Sequence, residues 1–518
     1  MRNDKKGEGD FFVYSIGLDI GTTSAKAVLY TANNEEICAC EIAYPLLKRK
    51  VNYAEQDPDV VVDACFTVLH HVINKGQIQG KDVSLVALSS AMHSLIAVDQ
   101  NCKPLTLAIT WADNRCAPFI KTLKGTSQGR HFYQNTGIPI HPMSWIGKIH
   151  WLRENERSVF KQAYKFITMK EYLCLRLTGH YVVDHSMASG TGLYHLRKQA
   201  WDKDVLAFLE ISEDKLSSLV PTTYELPPLT AEAQALLPVG TDCRFFIGAG
   251  DGVLANIGAD ALEKGTVAIT IGTSGAVRTL VDDVVTDELQ RTFCYALTEG
   301  KFIAGGATNN GGMALQWFID QFSKGMQTEA NGRSIHESII KSAANVPAGS
   351  EGLLFLPFLN GERAPFWDPD ARGTFFGVSM HHQHAHFARA VMEGVLYSIC
   401  SVVNALKQSL GTIDRVQASG GFARSPEWVQ MLADIIGQDV SLPSSHHASA
   451  LGAVLLAKHA IGELDLFTAA KTEKKEQALL FKPNLQHTEV YQELFAMYER
   501  LYQKLETEFS AIAAFQIK

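Results

Sequence analysis

The chain has 518 residues, 46% of them hydrophobic and 20% charged, with a formal net charge of −8. That length exceeds one ordinary core and suits two or three domains, and the composition is that of a globular protein. The mild acidity and the lack of a long basic tract exclude nucleic acid as an expected partner, but not a small anionic ligand, for which local donors matter more than net charge.

The opening "MRNDKKGEGDFFVYSIGLDIG" has basic residues but no long apolar region and no small-residue cleavage site, so no secretory signal is read there. No uninterrupted apolar stretch approaches the roughly 20 residues of a membrane span. Nine cysteines are scattered singly without a Cys-x-x-Cys, and the one close pair, Cys38 and Cys40, falls on one face of a strand. Reduced thiols in a cytoplasmic setting are the expectation.

Residues 11–47 read as three short strands in an antiparallel meander, turning at Gly-Thr-Thr and at Asn33-Asn34. A helix is expected from Pro58 to Ile73, capped by Asp57. "VSLVALSS", 83–90, is an apolar strand that delivers Ala91, Met92, His93 and Ser94 at its carboxyl end. The segment 140–215 alternates helical periods with loops, and "TAEAQALLPVGTD", 230–242, is a helix stopped by Pro238 and Gly240. The domain boundary is placed near residue 245, dividing the chain into 1–245 and 246–518. The second half repeats the opening grammar: aligning 18–29 with 269–280 gives five identities in twelve, Ile20/Ile271, Gly21/Gly272, Thr22/Thr273, Ala25/Ala276 and Leu29/Leu280. A duplicated α/β domain with a cleft between the copies follows. Three- and four-residue apolar steps predict a core helix over 386–406 and an amphipathic helix packed on the second domain over 488–508.

A tight Gly-Thr turn gathers backbone N–H groups and hydroxyls into a nest for an anion such as phosphate. Thr22, Thr23, Ser24 and, on the return strand, Lys26 are candidate nucleotide contacts, matched by Gly272, Thr273 and Ser274 in the second half. A single such turn reads more simply as a hairpin tip; two in matching places favour phosphate. Asp19 beside them suits a Mg²⁺ partner, because a carboxylate next to phosphates needs a hard cation between. Thr270 stands where the first copy has Asp19, so only one half would hold the metal. In "FIGAGDGVLANIGAD", 246–260, glycines flank Asp251, which could accept a proton from an attacking hydroxyl, cap the helix that follows, or both. The Gly-rich loops at Gly312 with Gln316, and at Gly420 and Gly421, are further nucleotide candidates. Met92, His93, Trp111, Asp113 and Arg115 form a candidate acceptor pocket, with Arg115 available to a carboxylate; an internal Asp–Arg ion pair explains the last two equally well. "MHHQHAH", 380–386, and His446–His447 lack a defined tetrahedral spacing and read as a helix start rather than a metal site.

Together these residues resemble the FGGY carbohydrate kinases of the actin/hexokinase/Hsp70 ATPase superfamily, over about residues 12–465. "GTFFGVSMHHQHAHFARAVME", 373–393, matches that family's long second signature, and "MSWIGKIHWLREN", 143–155, keeps Lys148 and Trp151 of the first while placing Trp145 where a small residue or proline is usual. "SSAMHS", "TWADNR", "GIPIHPM", "MKEYL" and "TIGTSGAVRT" are most similar to the gluconate-phosphorylating members. The resemblance implies two ribonuclease-H-like domains around a cleft, ATP on the second, sugar mainly on the first, and Mg²⁺. It implies Asp251 as general base, Lys148 in the sugar pocket, and Gly421 with Ser425 in the nucleotide site. A small sugar acid is the expected partner, with D-xylulose or a related ketose or polyol as the alternative. No nucleic acid or membrane is expected, and a homodimer remains open. A sugar-sensing regulator on this fold would carry a helix-turn-helix module, for which the dozen residues before the first strand are too few; a filament or chaperone ATPase would lack the sugar pocket.

Overall fold

The computed structural model describes residues 14–298, 300–324, 334–442, 447–467 and 479–516. Apolar runs on either side of Gly21 fold as the expected meander: β1 (Tyr14–Ile20), β2 (Ser24–Tyr30) and β3 (Glu36–Ala43) pair antiparallel in chain order. The expected strand start at 11–13 lies outside the described residues. Asn34 takes a φ of 64° in the second turn, a left-handed conformation that asparagine tolerates. Val83–Ser90 then returns parallel to β1, and Arg244–Gly250 lies parallel on its far side. The boundary expected at residue 245 therefore cuts through an edge strand of the first sheet. The apolar run Phe245–Ile247 belongs there because the first sheet offers it a buried parallel partner.

The second sheet repeats this order. Thr266–Ile271 pairs antiparallel with Gly275–Val281, which pairs with Lys301–Thr308, while Arg415–Ser419 and Val440–Leu442 add on the other side in parallel. Phe293–Thr298 and Leu479–Phe481 extend the two edges. The duplication is thus topological, with one difference of register. The first hairpin closes at Ile20↔Ala25 and the second at Ile271↔Gly275, a loop shorter by one residue. The identities Ala25/Ala276 and Leu29/Leu280 are consequently out of phase in space, whereas those before the turn coincide.

Two helices of small residues cross between the sheets. Asp251–Gly258 follows the last strand of the first sheet, and Ala448–Ala460 lies against it and against β1. A Cβ on Gly258 would stand 1.9 Å from the Ala448 carbonyl oxygen, and one on Gly452 2.0 Å from that of Leu254. Backbone packs on backbone here, so the crossing sets where Asp251 sits.

The helix expected at 386–406 spans His384–Leu410. By length and composition it suffices to cross a membrane, which the sequence reading did not anticipate, but nearly all its apolar residues are buried within the protein. Its first turns hold the second signature. Arg389 donates to Glu393 (2.6 Å), to the Val346 carbonyl (2.5 Å) and to Tyr491 (2.8 Å), and Glu393 also accepts from Tyr491 (2.8 Å) and the Gly349 N–H (3.0 Å). Tyr491 opens the terminal helix Leu485–Gln516, which buries Tyr491, Tyr498 and Tyr502 against the second domain as expected. In this structure those signature residues therefore brace the fold.

Candidate active site

Ala91, Met92 and the tips of β1 and Val83–Ser90 line a cavity with Gly21, Thr22 and Trp111. Around it the first hairpin is held from several sides. Trp111 Nε1–H donates to Thr22 Oγ1 (2.8 Å), Gln56 to the Thr22 carbonyl (2.8 Å) and the Tyr44 hydroxyl to the Gly21 carbonyl (2.7 Å). Thr23 is exposed. Ser24 and Lys26 instead engage Glu41 on β3, at 2.5 and 3.5 Å. Asp19 accepts from the Ser89 hydroxyl (2.6 Å) on the neighbouring strand. Burial and the nearby Asp251 charge push its carboxyl up to about 6, against the pull of Ser89, Lys26 and His447.

Asp251 occupies the first turn of its helix rather than the cap, which is Gly250. Its Oδ1 takes the adjacent Gly252 N–H (2.6 Å), and its carbonyl accepts from Ser449 (3.1 Å). Burial raises its carboxyl above the usual range, opposed chiefly by Arg278 and then by the Gly252 N–H, Arg363 and Lys170. Asp251 thus lies within electrostatic reach of a strand from each hairpin: Asp19 belongs to the first strand of one, and Arg278 to the second strand of the other.

The acceptor side is built around His93, which adopts a φ of 71°. Its Nδ1–H donates to the Gly190 carbonyl (2.6 Å), leaving Nε2 to accept from the Tyr295 hydroxyl (3.2 Å). Burial, with Lys148 and Arg363 nearby, lowers its pKa to about 3, so the ring is neutral. Lys148 is fully buried beneath this turn and donates to the His93 and Ile109 carbonyls (2.5 and 3.2 Å). It holds the strained turn in place; burial lowers its pKa to about 7. Trp145 fills the space beside it and donates to the Ser94 carbonyl (2.9 Å).

Arg115 is not open to a ligand carboxylate, contrary to the sequence reading. It donates to both Asp113 oxygens (2.8 and 2.7 Å) and to Glu55 (2.6 Å), lies 3.7 Å from the Tyr53 ring centroid, and its side chain is 5% exposed. Asp113 is equally committed, since it also accepts from the Ala54 N–H (2.8 Å). The ion-pair reading of these two residues is the one the structure adopts.

The second hairpin carries the start of a helix on its back. The Gly312 and Met313 N–H groups donate to the Gly272 and Thr273 carbonyls (2.7 and 3.3 Å), and a Cβ on Gly311 would stand 2.5 Å from the Ser274 carbonyl oxygen. Gly420, with φ 98°, packs so tightly on β-strand residue Ile271 that a Cβ would lie 2.4 Å from its carbonyl oxygen. By contrast, a Cβ on Gly272 or Gly421 would meet nothing within 4 Å, so both present open backbone. Gln316 is engaged by Asp320 and His336 (2.7 and 2.6 Å), and Ser425 caps the next helix at the Trp428 N–H (3.2 Å).

Two models of known families cover most of this geometry: the FGGY family of carbohydrate kinases, N-terminal domain, over residues 14–258, and the C-terminal domain of the same family over residues 267–461. The chain belongs to the FGGY family of carbohydrate kinases. The kinase is 41% identical to the gluconokinase of Bacillus subtilis (strain 168) over 506 residues, 97% of this chain and 98% of that one. It is 28% identical to the xylulose kinase of the same organism over 507 residues, 97% and 99% of the two chains. Among solved structures, gluconate kinase from Lactobacillus acidophilus superposes with a TM-score of 0.88 at 34% identity, covering 97% of this chain and 100% of that one. Ligand-bound xylulose kinase from the same organism gives 0.90 at 34%, covering 96% and 99%.

Three residues of the kinase's site escaped the sequence reading: Arg278, Tyr295 and Arg363. Arg363 is buried, lies 4.5 Å over the Trp111 ring and donates to the Thr308 carbonyl (2.9 Å). Its Nε–H has no hydrogen-bond partner among the described residues. Burial lowers its pKa to about 10. The adjoining Glu362 accepts from the Asn309 and Arg363 N–H groups (2.5 and 2.8 Å) and so ties this loop to the Gly-rich one. A charged Glu-Arg pair inside "FLNGERAPF", and an arginine inside "GAVRTLV", were the available signals.

The histidines at 381, 382 and 386 gather on Glu351 instead of a metal. The Ser379 and Gln383 N–H groups donate to Nδ1 of His382 and His386 (3.0 and 3.1 Å). That places the proton on each Nε2, the nitrogen of His386 that faces Glu351 at 3.2 Å. His447 pairs with Glu36 (3.6 Å), and His446 lies outside the described residues.

Proposed function

We propose that this kinase transfers the γ-phosphoryl group of ATP to the terminal hydroxyl of D-gluconate, giving 6-phosphogluconate and ADP. The observation that carries the reading is Asp251: a half-buried carboxylate whose charge neighbours are Asp19 of the first hairpin and Arg278 of the second, beside a pocket with hydroxyl-binding groups and two arginines. The relatives named gluconokinase support the choice of sugar acid. In this reading Asp251 takes the proton of the terminal hydroxyl as that oxygen bonds to the γ-phosphorus. The bond from phosphorus to the bridging oxygen breaks, and ADP leaves. His93 Nε2 takes the Tyr295 hydroxyl proton, which leaves the Tyr295 oxygen to accept from the polyol, and Trp111 closes one wall. The open backbone at Gly272 and Gly421 suits close approach of the nucleotide.

Asp19, whose carboxyl is raised by burial and by the nearby Asp251 charge, offers a hard oxygen donor that fits Mg²⁺. Asp19 would hold the ion, which when bound offsets charge on the triphosphate oxygens. All nine cysteines are free, in keeping with a cytoplasmic setting.

An ADP-release assay with gluconate, xylulose, glycerol and ribulose tests the substrate. Turnover of gluconate above the others is expected; clear turnover of xylulose without gluconate would install the second reading, which the 34%-identical xylulose kinase structure favours.

The raised carboxyl of Asp251 also sets a pH dependence. The base works only when ionised, and its ionised fraction is lost as pH falls through its folded pKa. The acid limb of kcat/KM is therefore expected above the ordinary aspartate value of 3.8. A profile flat down to that pH would contradict the assignment.

A further inference from the structure

Resting on the gluconate reading, we infer that Arg278 takes the substrate's carboxylate and so sets the preference for a sugar acid over a neutral polyol. Arg115 is already satisfied by two carboxylates, so the cation for an acidic substrate lies elsewhere. Arg278 projects from Gly275–Val281, the strand that leaves the second hairpin. Alternate residues of a strand share a face, so Ala276 and then Arg278 follow the loop on one side, progressively farther from the phosphate loop.

The side chain is half-buried and makes no hydrogen bond or ion pair within 4 Å among the described residues, so its planar fork of donors is uncommitted. Its surroundings are Asp251, Tyr295 and the second guanidinium of Arg363. Two cations share the pocket, and the carboxylate facing both is Asp251, which the reaction uses for the proton. An added carboxylate relieves that repulsion and suits a bidentate pair. Gly252 leaves room for the guanidinium: a Cβ there would lie 2.7 Å from Arg278 Nε. A methyl at 252 therefore displaces the guanidinium while the charge remains.

The competing role is that of a counter-ion keeping Asp251 ionised, which would affect every substrate alike. D-gluconamide separates the two, because it keeps the terminal hydroxyl and replaces the carboxylate by a neutral amide. We would measure kcat/KM for gluconate and gluconamide in the wild type, Arg278→Met, Arg278→Lys and Gly252→Ala. Arg278→Met is expected to lower the gluconate-to-gluconamide ratio about 10–100-fold, mainly through KM for gluconate. Arg278→Lys should restore part of it, and Gly252→Ala should lower it with the charge intact, which keeps the test valid if Arg278→Met fails to fold. A ratio unchanged in both Arg278→Met and Gly252→Ala, whether both substrates fall together or neither does, overturns the inference. A wild type that turns over no gluconate refutes the substrate reading, and the inference falls with it; an active wild type with an unchanged ratio in the variants refutes Arg278 alone.

Discussion

Asp251→Asn is expected to lower kcat by about 10²–10⁴-fold, the range that a positioned general base contributes. The amide keeps the shape and can still accept the Gly252 N–H through its oxygen, but it cannot take a proton. The fold should persist, and the sign of the stability change follows from the raised carboxyl. A carboxylate whose folded pKa lies above its unfolded value costs stability in full above that folded pKa, and the cost fades as pH falls from there to the unfolded value. Removing the charge should therefore leave the melting temperature at pH 8 unchanged or higher. Steady-state turnover with a parallel thermal melt checks both halves. Near-normal turnover would remove Asp251 as the base, and a large fall in melting temperature would show that the residue serves the fold.

The largest structural effect is expected at Glu393→Ala. Glu393 is 1% exposed and accepts from Arg389, Tyr491 and the Gly349 N–H. Removing it leaves the Arg389 guanidinium buried without its counter-charge, a loss of about 3–5 kcal/mol. Because Tyr491 anchors the terminal helix, that helix should loosen first, and amide exchange over Leu485–Gln516 should rise before global unfolding. Glu393→Gln retains an acceptor and should lose less. Equal denaturation midpoints for Glu393→Ala and the wild type would contradict this account of the second signature.

The parts of the site legible in the sequence are those whose chemistry is local. Gly21-Thr22 and Gly272-Thr273 announce their turns through glycine and hydroxyls within four residues, and the structure builds both as hairpins. Asp251 stood out between glycines, and the backbone-tight crossing at Gly258 explains why small residues surround it. The sequence leaves Arg115 between a ligand and an ion pair with Asp113, because two of the partners that settle it, Glu55 and Tyr53, lie some 60 residues earlier. Spacing alone does not show a long-range ion pair. Lys148 likewise gave no sign that its ammonium would turn under the His93 carbonyl. Arg278, Tyr295 and Arg363 come from three separate segments of the second half, and only the packing of the two sheets brings them to Met92, His93 and Trp111 from the first. The alignment of the two halves also overreached, since a loop shortened by one residue shifts everything after the turn.

A crystal structure of the kinase with D-gluconate and a non-hydrolysable ATP analogue is the most direct test of how this cleft works. The terminal hydroxyl is predicted within hydrogen-bond distance of the Asp251 carboxylate, the triphosphate between Gly21–Thr23 and Gly272–Ser274, and the sugar carboxylate on Arg278. A complex with the terminal hydroxyl turned away from Asp251, or with the triphosphate bound outside the two hairpins, would contradict it.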